Sequence, residues 1–142
     1  MTDIAFADTN IFVRLLTLDE PNQAKAAIDL LQDAQAGKLR LVVNVITIAE
    51  LVWVLERIYK LEHATIRRNI LALQNTPGLE IEHPEWVGQA IDLYVTQNID
   101  FGDALNISWM QAEGITTVYT FDRRHFSRVH GLDVRAPGQD GR

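Results

Sequence analysis

A three-layer α/β/α domain on a mainly parallel central sheet is the fold this sequence predicts, and three observations point to it. Short apolar runs of strand length alternate with longer segments of helical periodicity along the whole chain. No internal repeat or linker interrupts the alternation. The 142 residues amount to one domain, and 47% of them are hydrophobic, enough to bury a core. The expected domain covers residues 1–136, with 137–142 as a flexible tail.

The elements follow in order. Ile4 to Ala7 reads as a short buried strand, and Asp8-Thr9-Asn10 as the turn where it stops. Ile11 to Leu16 continues as a short apolar helix carrying one base, Arg14. Asp19-Glu20-Pro21 starts a second helix, with proline in its first turn, and Gly37 ends it. Leu39 to Val45 is a second buried strand, rich in leucine and valine. Thr47-Ile48-Ala49-Glu50 has the form of a capping box, in which a Thr side chain and a Glu three residues on satisfy each other's orphan amides. It is expected to open a helix reaching about Lys60. At ~100° per residue, Ile48, Leu51, Val52, Leu55 and Tyr59 share one stripe of that helix. Trp53 lies off the stripe, which points either to a partner or groove on that side or to a broad core contact.

The next helix spans His63 to Leu73, Pro77-Gly78 turns the chain, and Leu79-Glu80-Ile81 forms a short strand. Pro84 begins a helix that runs to about Gln97. Ile99 to Asp103 is a turn, and Ala104 to Glu113 a helix closed by Gly114. Ile115 to Phe121 is a β-branched strand with Asp122 at its carboxyl end, followed by the basic Arg123-Arg124-His125. A last short strand lies near Leu132 to Val134.

Bulk properties narrow the chemistry. Without cysteine there is no disulfide framework, zinc–thiolate site or cysteine nucleophile. Asp3 stands where a secretory signal would place a base, and the longest uncharged apolar stretch, Leu41 to Ala49, is too short to span a bilayer. A cytoplasmic protein with no membrane association is the expectation. The net charge of −6 counts mildly against nucleic acid, but acids gathered around divalent cations are neutralised locally.

Four acids occupy related positions. Asp8 and Asp122 each end a strand, and Glu50 and Asp103 each sit near the start of a helix that follows a strand or turn. In a parallel sheet these positions fall on one edge, the edge where ligands collect. Carboxylates crowded there repel one another unless a cation or protons compensate. Mg²⁺ or Mn²⁺ suits an all-oxygen site and can activate water against a phosphate. Each acid also has a local alternative: helix capping for Asp8 and Asn10, the capping box for Glu50, helix-dipole stabilisation for Asp103 with Asp100 as the cap, and turn initiation for Asp122.

Asp8-Thr9-Asn10 followed by Ile11-Phe12-Val13-Arg14, then Glu50, Asp100-Phe101-Gly102-Asp103-Ala104 and Thr120-Phe121-Asp122 resemble the PIN-domain nucleases. More narrowly, the pattern resembles the VapC-type toxins of toxin–antitoxin pairs, over nearly the whole chain and with the acidic motifs in order. The resemblance implies a PIN-like fold and a metal-dependent endoribonuclease that hydrolyses RNA phosphodiester bonds with Mg²⁺, or Mn²⁺, as cofactor. It implies Asp8 and Asp103 as metal ligands, with Glu50 and Asp122 completing the catalytic set directly or through water. Thr9, Asn10 and Thr120 match supporting polar positions, and Asp100 a less central acid. A homodimer and a small VapB-like antitoxin are the implied protein partners, with Trp53 and Arg57 as candidates for the antitoxin contact. Arg14, Arg123, Arg124 and Arg128 are candidates for holding the RNA backbone, since arginine suits phosphate geometry; solvated surface, or for Arg14 an internal ion pair, is the alternative.

Two other classes compete. A haloacid-dehalogenase-type phosphatase needs a second Asp two residues after the first, where this chain has Asn10, and a lysine ahead of its last acids. A receiver domain needs an acid pair at the first strand and a late lysine. A non-catalytic PIN-fold binding module differs in kind, and the complete acidic set argues against it.

Overall fold

The computed structural model describes residues 2–138; residues 139–142, most of the expected tail, lie outside the described residues. The chain folds as two compact units, the first ending at Pro84 and the second beginning at Glu85.

The first unit holds β1 (Asp3–Phe6), α1 (Thr9–Thr17), α2 (Pro21–Gln35), β2 (Leu39–Val43), α3 (Val45–Arg57), α4 (His63–Gln74) and β3 (Leu79–Ile81). Its strands form one parallel sheet in the order β1-β2-β3, with Ala5 opposite Leu41 and Leu41 opposite Leu79. Alternation across the pleat decides which face is covered. Leu41, Val43, Leu79 and Ile81 are buried, and α2 packs against β2 and β3. Ile4 and Phe6, on the opposite face, are exposed by 59% and 56%. That face also carries Arg40 and Glu80, joined by a two-pronged ion pair at 2.6 and 2.9 Å. The strand expected to be buried is therefore a half-covered edge strand. A run of apolar residues does not reveal that one face of its sheet is polar one strand further in.

α3 starts earlier than expected. Asn44 is its N-cap, and the Asn44 side chain accepts from the Thr47 backbone N–H at 2.9 Å. Thr47 is thus inside the first turn and is buried, and no capping box links it to Glu50. Ile48, Leu51, Val52 and Leu55 are fully buried along the expected stripe. The turn before β3 depends on Gly78 at φ +84, where a Cβ would lie 2.1 Å from the Ala34 carbonyl oxygen.

The second unit contains α5, which begins at the boundary (Pro84–Thr96), α6 (Phe101–Ala112), β4 (Thr117–Tyr119), a 3₁₀ turn (Phe126–Arg128) and β5 (Asp133–Arg135). Val87, Ala90, Ile91 and Tyr94 of α5 and Phe101, Ala104, Ile107 and Met110 of α6 are buried. Tyr94 and Phe101 meet edge to face, with centroids 6.1 Å apart, the arrangement that ring quadrupoles favour. β4 and β5 pair in parallel, Val118 opposite Val134. β4 is three residues long rather than seven, and Phe121 beyond it is exposed by 84%. The α/β class and parallel pairing stand as expected, with the parallel strands distributed over a three-stranded and a two-stranded sheet.

Candidate active site

In the first unit, Asp8 follows β1 and occupies the N-cap position of α1 with extended backbone, φ −79 and ψ 163, yet its side chain makes no capping hydrogen bond. The capping alternative for Asp8 fails, and its exposed carboxylate is left for another purpose. Thr9, the first residue of α1, is buried. Its Oγ1 donates to Glu50 Oε2 at 2.9 Å, across 41 residues of sequence. Glu50 lies one turn beyond the capped end of α3, so its carboxylate is oriented by Thr9 and not by the helix amides. Asp8 and Glu50 are thereby tied to one corner of the unit through consecutive residues, 8 and 9. Asn10 is exposed beside them.

In the second unit, Asp100 caps α6, its side chain accepting from the Asp103 backbone N–H. That leaves the Asp103 carboxylate outside the cap, and Oδ2 lies 2.8 Å from His125 Nδ1. An ionised carboxylate can only accept, so the imidazole Nδ1–H is the donor. Asp122 lies three residues beyond the end of β4. Thr120 shapes the turn before it: Oγ1 accepts from the Asp122 N–H at 3.1 Å and donates to the Asp122 carbonyl at 2.9 Å. Thr120 thus supports the backbone of Asp122 and not its carboxylate.

The Asp122 carboxylate is gripped by Arg124, whose Nε and terminal amine donate to its two oxygens at 3.1 and 3.0 Å. The Arg124 backbone N–H adds a bond of 3.2 Å. These bonds, led by the guanidinium, pull the Asp122 carboxyl from its ordinary 3.8 to about 2. It is ionised throughout the neutral range.

Each arginine named as an RNA-backbone candidate has an internal partner. Arg14 is half-buried and pairs with Asp19 at 3.2 Å, and it donates to Gln23 at 2.7 Å, as its ion-pair alternative required. Arg123 donates to the Val134 carbonyl at 2.9 Å. Arg124 holds Asp122, and Arg128 donates to the carbonyls of Gln97 and Asn98. Trp53 is exposed by 55% on the same side of α3 as Ile46, at 65%, which rules out the broad core contact. Arg57 pairs with the adjacent Glu56.

Two residues with a part in the site escaped sequence reasoning. Asn44, by capping α3, releases Glu50; its signal was its place directly after the Val42-Val43 end of a strand. His125 was read with Arg123 and Arg124 as a basic run, and no spacing rule links it to Asp103, 22 residues away.

In each unit, taken by itself, the candidate donors are carboxylate and hydroxyl oxygens with no sulfur, which fits a hard dication. Among the described residues, no three His, Cys, Asp or Glu side chains stand in a metal-holding group. Mg²⁺ does not require one, since it retains waters and takes one or two protein carboxylates. Among the described residues, no helix is long and apolar enough to cross a membrane.

Comparison with functionally characterised proteins gives no match. Among solved structures, the chain is 20% identical to VapC20 of Mycobacterium tuberculosis, described as a sarcin-ricin loop cleaving toxin, over 94% of this chain and 99% of that one, with a TM-score of 0.39. It is 17% identical to VapBC2 of Rickettsia felis, bound to a promoter DNA fragment, over 94% and 98% of the two chains, with a TM-score of 0.38. A sequence profile of the PIN domain matches residues 5–132, a span that includes all four acids and both of the hydrogen bonds, from Thr9 and from His125, that orient two of them. With nine-tenths of its length inside that match, the chain belongs to the PIN domain family.

Proposed function

We propose that this chain is a metal-dependent endoribonuclease acting as the toxin of a toxin–antitoxin pair, with residues 1–136 working as one PIN-like domain. The observation that carries the reading is the state of the Asp8 and Glu50 carboxylates. Neither is engaged in capping, and Glu50 is held by the residue next to Asp8. Acids needed only for helix stability would be found on the orphan amides, as Asp100 is.

Asp8 and Asp103 are the proposed ligands of Mg²⁺ or Mn²⁺, with Glu50 and Asp122 assisting directly or through water. When bound, such a cation activates water and stabilises the charge that grows on the phosphate. The chain's own contributions are orientation and charge. Thr9 fixes one oxygen of Glu50, and Arg124 holds both oxygens of Asp122. Since Arg14, Arg123, Arg124 and Arg128 have internal partners, any hold on the RNA backbone comes from N–H groups left over after those bonds. The small antitoxin is assigned to the side of α3 that exposes Ile46 and Trp53, large apolar groups of the kind that anchor interfaces. The working form is a cytoplasmic homodimer.

The test is cleavage of tRNA and ribosomal RNA by the purified protein with Mg²⁺ or Mn²⁺, against EDTA and Asp8→Asn controls. Metal-dependent cleavage that Asp8→Asn abolishes is the expected result. Equal cleavage by Asp8→Asn removes Asp8 from the site, and no cleavage of any RNA favours a non-catalytic binding module.

A further inference from the structure

His125 stands outside the four acids, and its ring holds one of them. We infer that His125 is a positioning residue for Asp103: it fixes Oδ2 through the 2.8 Å hydrogen bond and so leaves Oδ1 for the divalent cation. The inference rests on the metal-dependent reading above.

The bond is built at both ends. Asp103 sits in the first turn of α6, whose start is fixed by the Asp100 cap. The Asp103 side chain is one-third exposed, so without a partner its carboxyl group would rotate in solvent. His125 is the residue before the 3₁₀ turn, and its carbonyl accepts from the Arg128 N–H at 3.2 Å. Ser127 N–H donates to the Arg123 carbonyl at 3.0 Å, and Phe126 is buried beneath the turn. The Arg128 guanidinium then reaches the Gln97 and Asn98 carbonyls, in the segment that runs into Asp100 and α6. The circuit closes: α6, Asp103, His125, Arg128, residues 97–98 and α6 again. A ring held this way can orient a ligand, because second-sphere hydrogen bonds work only when their donors are themselves fixed.

The same turn carries Asp122, three residues before His125. Three residues of chain reach at most about 11 Å, so Asp122 stays in the neighbourhood of the Asp103 bond.

A purely structural bond would pin the turn to the helix and leave metal affinity unchanged once the protein is folded. The experiment is Mn²⁺ binding to the full chain without RNA, followed by the electron paramagnetic resonance of free Mn²⁺. It compares wild type, His125→Ala, His125→Asn and Asp103→Asn, with melting temperatures measured alongside. His125→Ala is expected to weaken Mn²⁺ binding about tenfold or more. His125→Asn, whose amide N–H can replace Nδ1–H, recovers most of the affinity, and Asp103→Asn loses binding. Should His125→Ala fail to fold, His125→Phe, which keeps a ring and removes the donor, takes its place. Binding by His125→Ala within twofold of wild type overturns the inference alone, whereas unchanged binding by Asp103→Asn overturns it together with the assignment of Asp103 as a metal ligand. Wild-type protein that binds no Mn²⁺ overturns the metal-dependent reading and the inference with it.

Discussion

Thr9 and Glu50 are joined by a 2.9 Å hydrogen bond that links the start of α1 to the second turn of α3. The donor is buried and the acceptor exposed, so the bond holds a solvent-facing carboxylate from the protein side. Thr9→Val keeps the branched shape and removes the hydroxyl. It is expected to cost about 0.5–1.5 kcal/mol of stability, the usual net worth of such a bond. Its effect on cleavage should be on the order of tenfold if Glu50 serves the proposed metal chemistry. Denaturant unfolding and RNA cleavage measured on the same preparation check both numbers. Unchanged cleavage would remove Thr9 from the supporting set.

The cap of α3 separates structure from chemistry in a second way. Asn44→Ala should lower stability by about 1 kcal/mol, because the Thr47 N–H loses its acceptor at a helix start. Glu50→Gln should change stability by less than about 0.5 kcal/mol, since the side chain is exposed and no amide depends on it. A capping box would reverse the emphasis, giving Glu50 a stability role. Thermal unfolding of the two variants, with cleavage assayed beside it, distinguishes the cases: Glu50→Gln should lose activity and keep its melting temperature.

How far the sequence could be read depended on the range of the interaction that decides each feature. α2, α4 and α5 were legible because Pro21, the 3.6-residue apolar spacing and Pro84 act within one or two turns. The start of α3 was misjudged because Asn44 and Thr47 are both good cap residues, and only the end point of β2 at Val43 decides between them. The exposure of Ile4 and Phe6 was hidden because it depends on Arg40 and Glu80, which sit on later strands. The four acids were identifiable as candidates from their positions at strand and helix ends. Their partners were not: Thr9 meets Glu50 across 41 residues and His125 meets Asp103 across 22, pairings that no local pattern encodes. The Arg124–Asp122 pair was hidden for a related reason, since the turn after Thr120 folds Arg124 back onto Asp122 where the sequence showed only a run of bases.

Two glycines of the first unit should respond very differently to alanine. Gly37 has φ +81 with nothing within 4 Å of an added Cβ, so Gly37→Ala carries only the left-handed backbone penalty of about 1–2 kcal/mol. Gly78 has φ +84, and its Cβ would press against the Ala34 carbonyl, 2.1 Å from the oxygen and 2.4 Å from the carbon. Both atoms belong to the α2 backbone and cannot rotate away, so α2 must separate from the turn before β3. Gly78→Ala should therefore lose well over the ~2 kcal/mol of backbone strain alone. Urea midpoints decide it, and equal losses at the two positions would show that the turn at Gly78 yields more easily than its contacts imply.

The Asp122–Arg124 pair gives a pH dependence with a definite sign. The Asp122 carboxyl is held at about 2 in the folded chain, chiefly by the Arg124 guanidinium, against an ordinary value of 3.8. Above pH ~4 the group is ionised in both folded and unfolded chains, so the contribution of the pair is fully present. As pH falls from ~4 toward 2 the unfolded chain takes up the proton first, and the contribution is lost across that window. Because both side chains are largely exposed, at 75% and 59%, its size is small and shrinks further with added salt. In a carboxyl-carbon NMR titration, Asp122 should show a midpoint near 2 in the wild-type protein and a higher one in Arg124→Ala, short of the ordinary 3.8 because the backbone N–H of residue 124 still donates to it. The unfolding stabilities of the two proteins should differ above pH ~4 and converge near pH 2. An Asp122 midpoint near 4 in the wild type would mean that Arg124 is free in solution, and would return it to the groups available for an RNA phosphate.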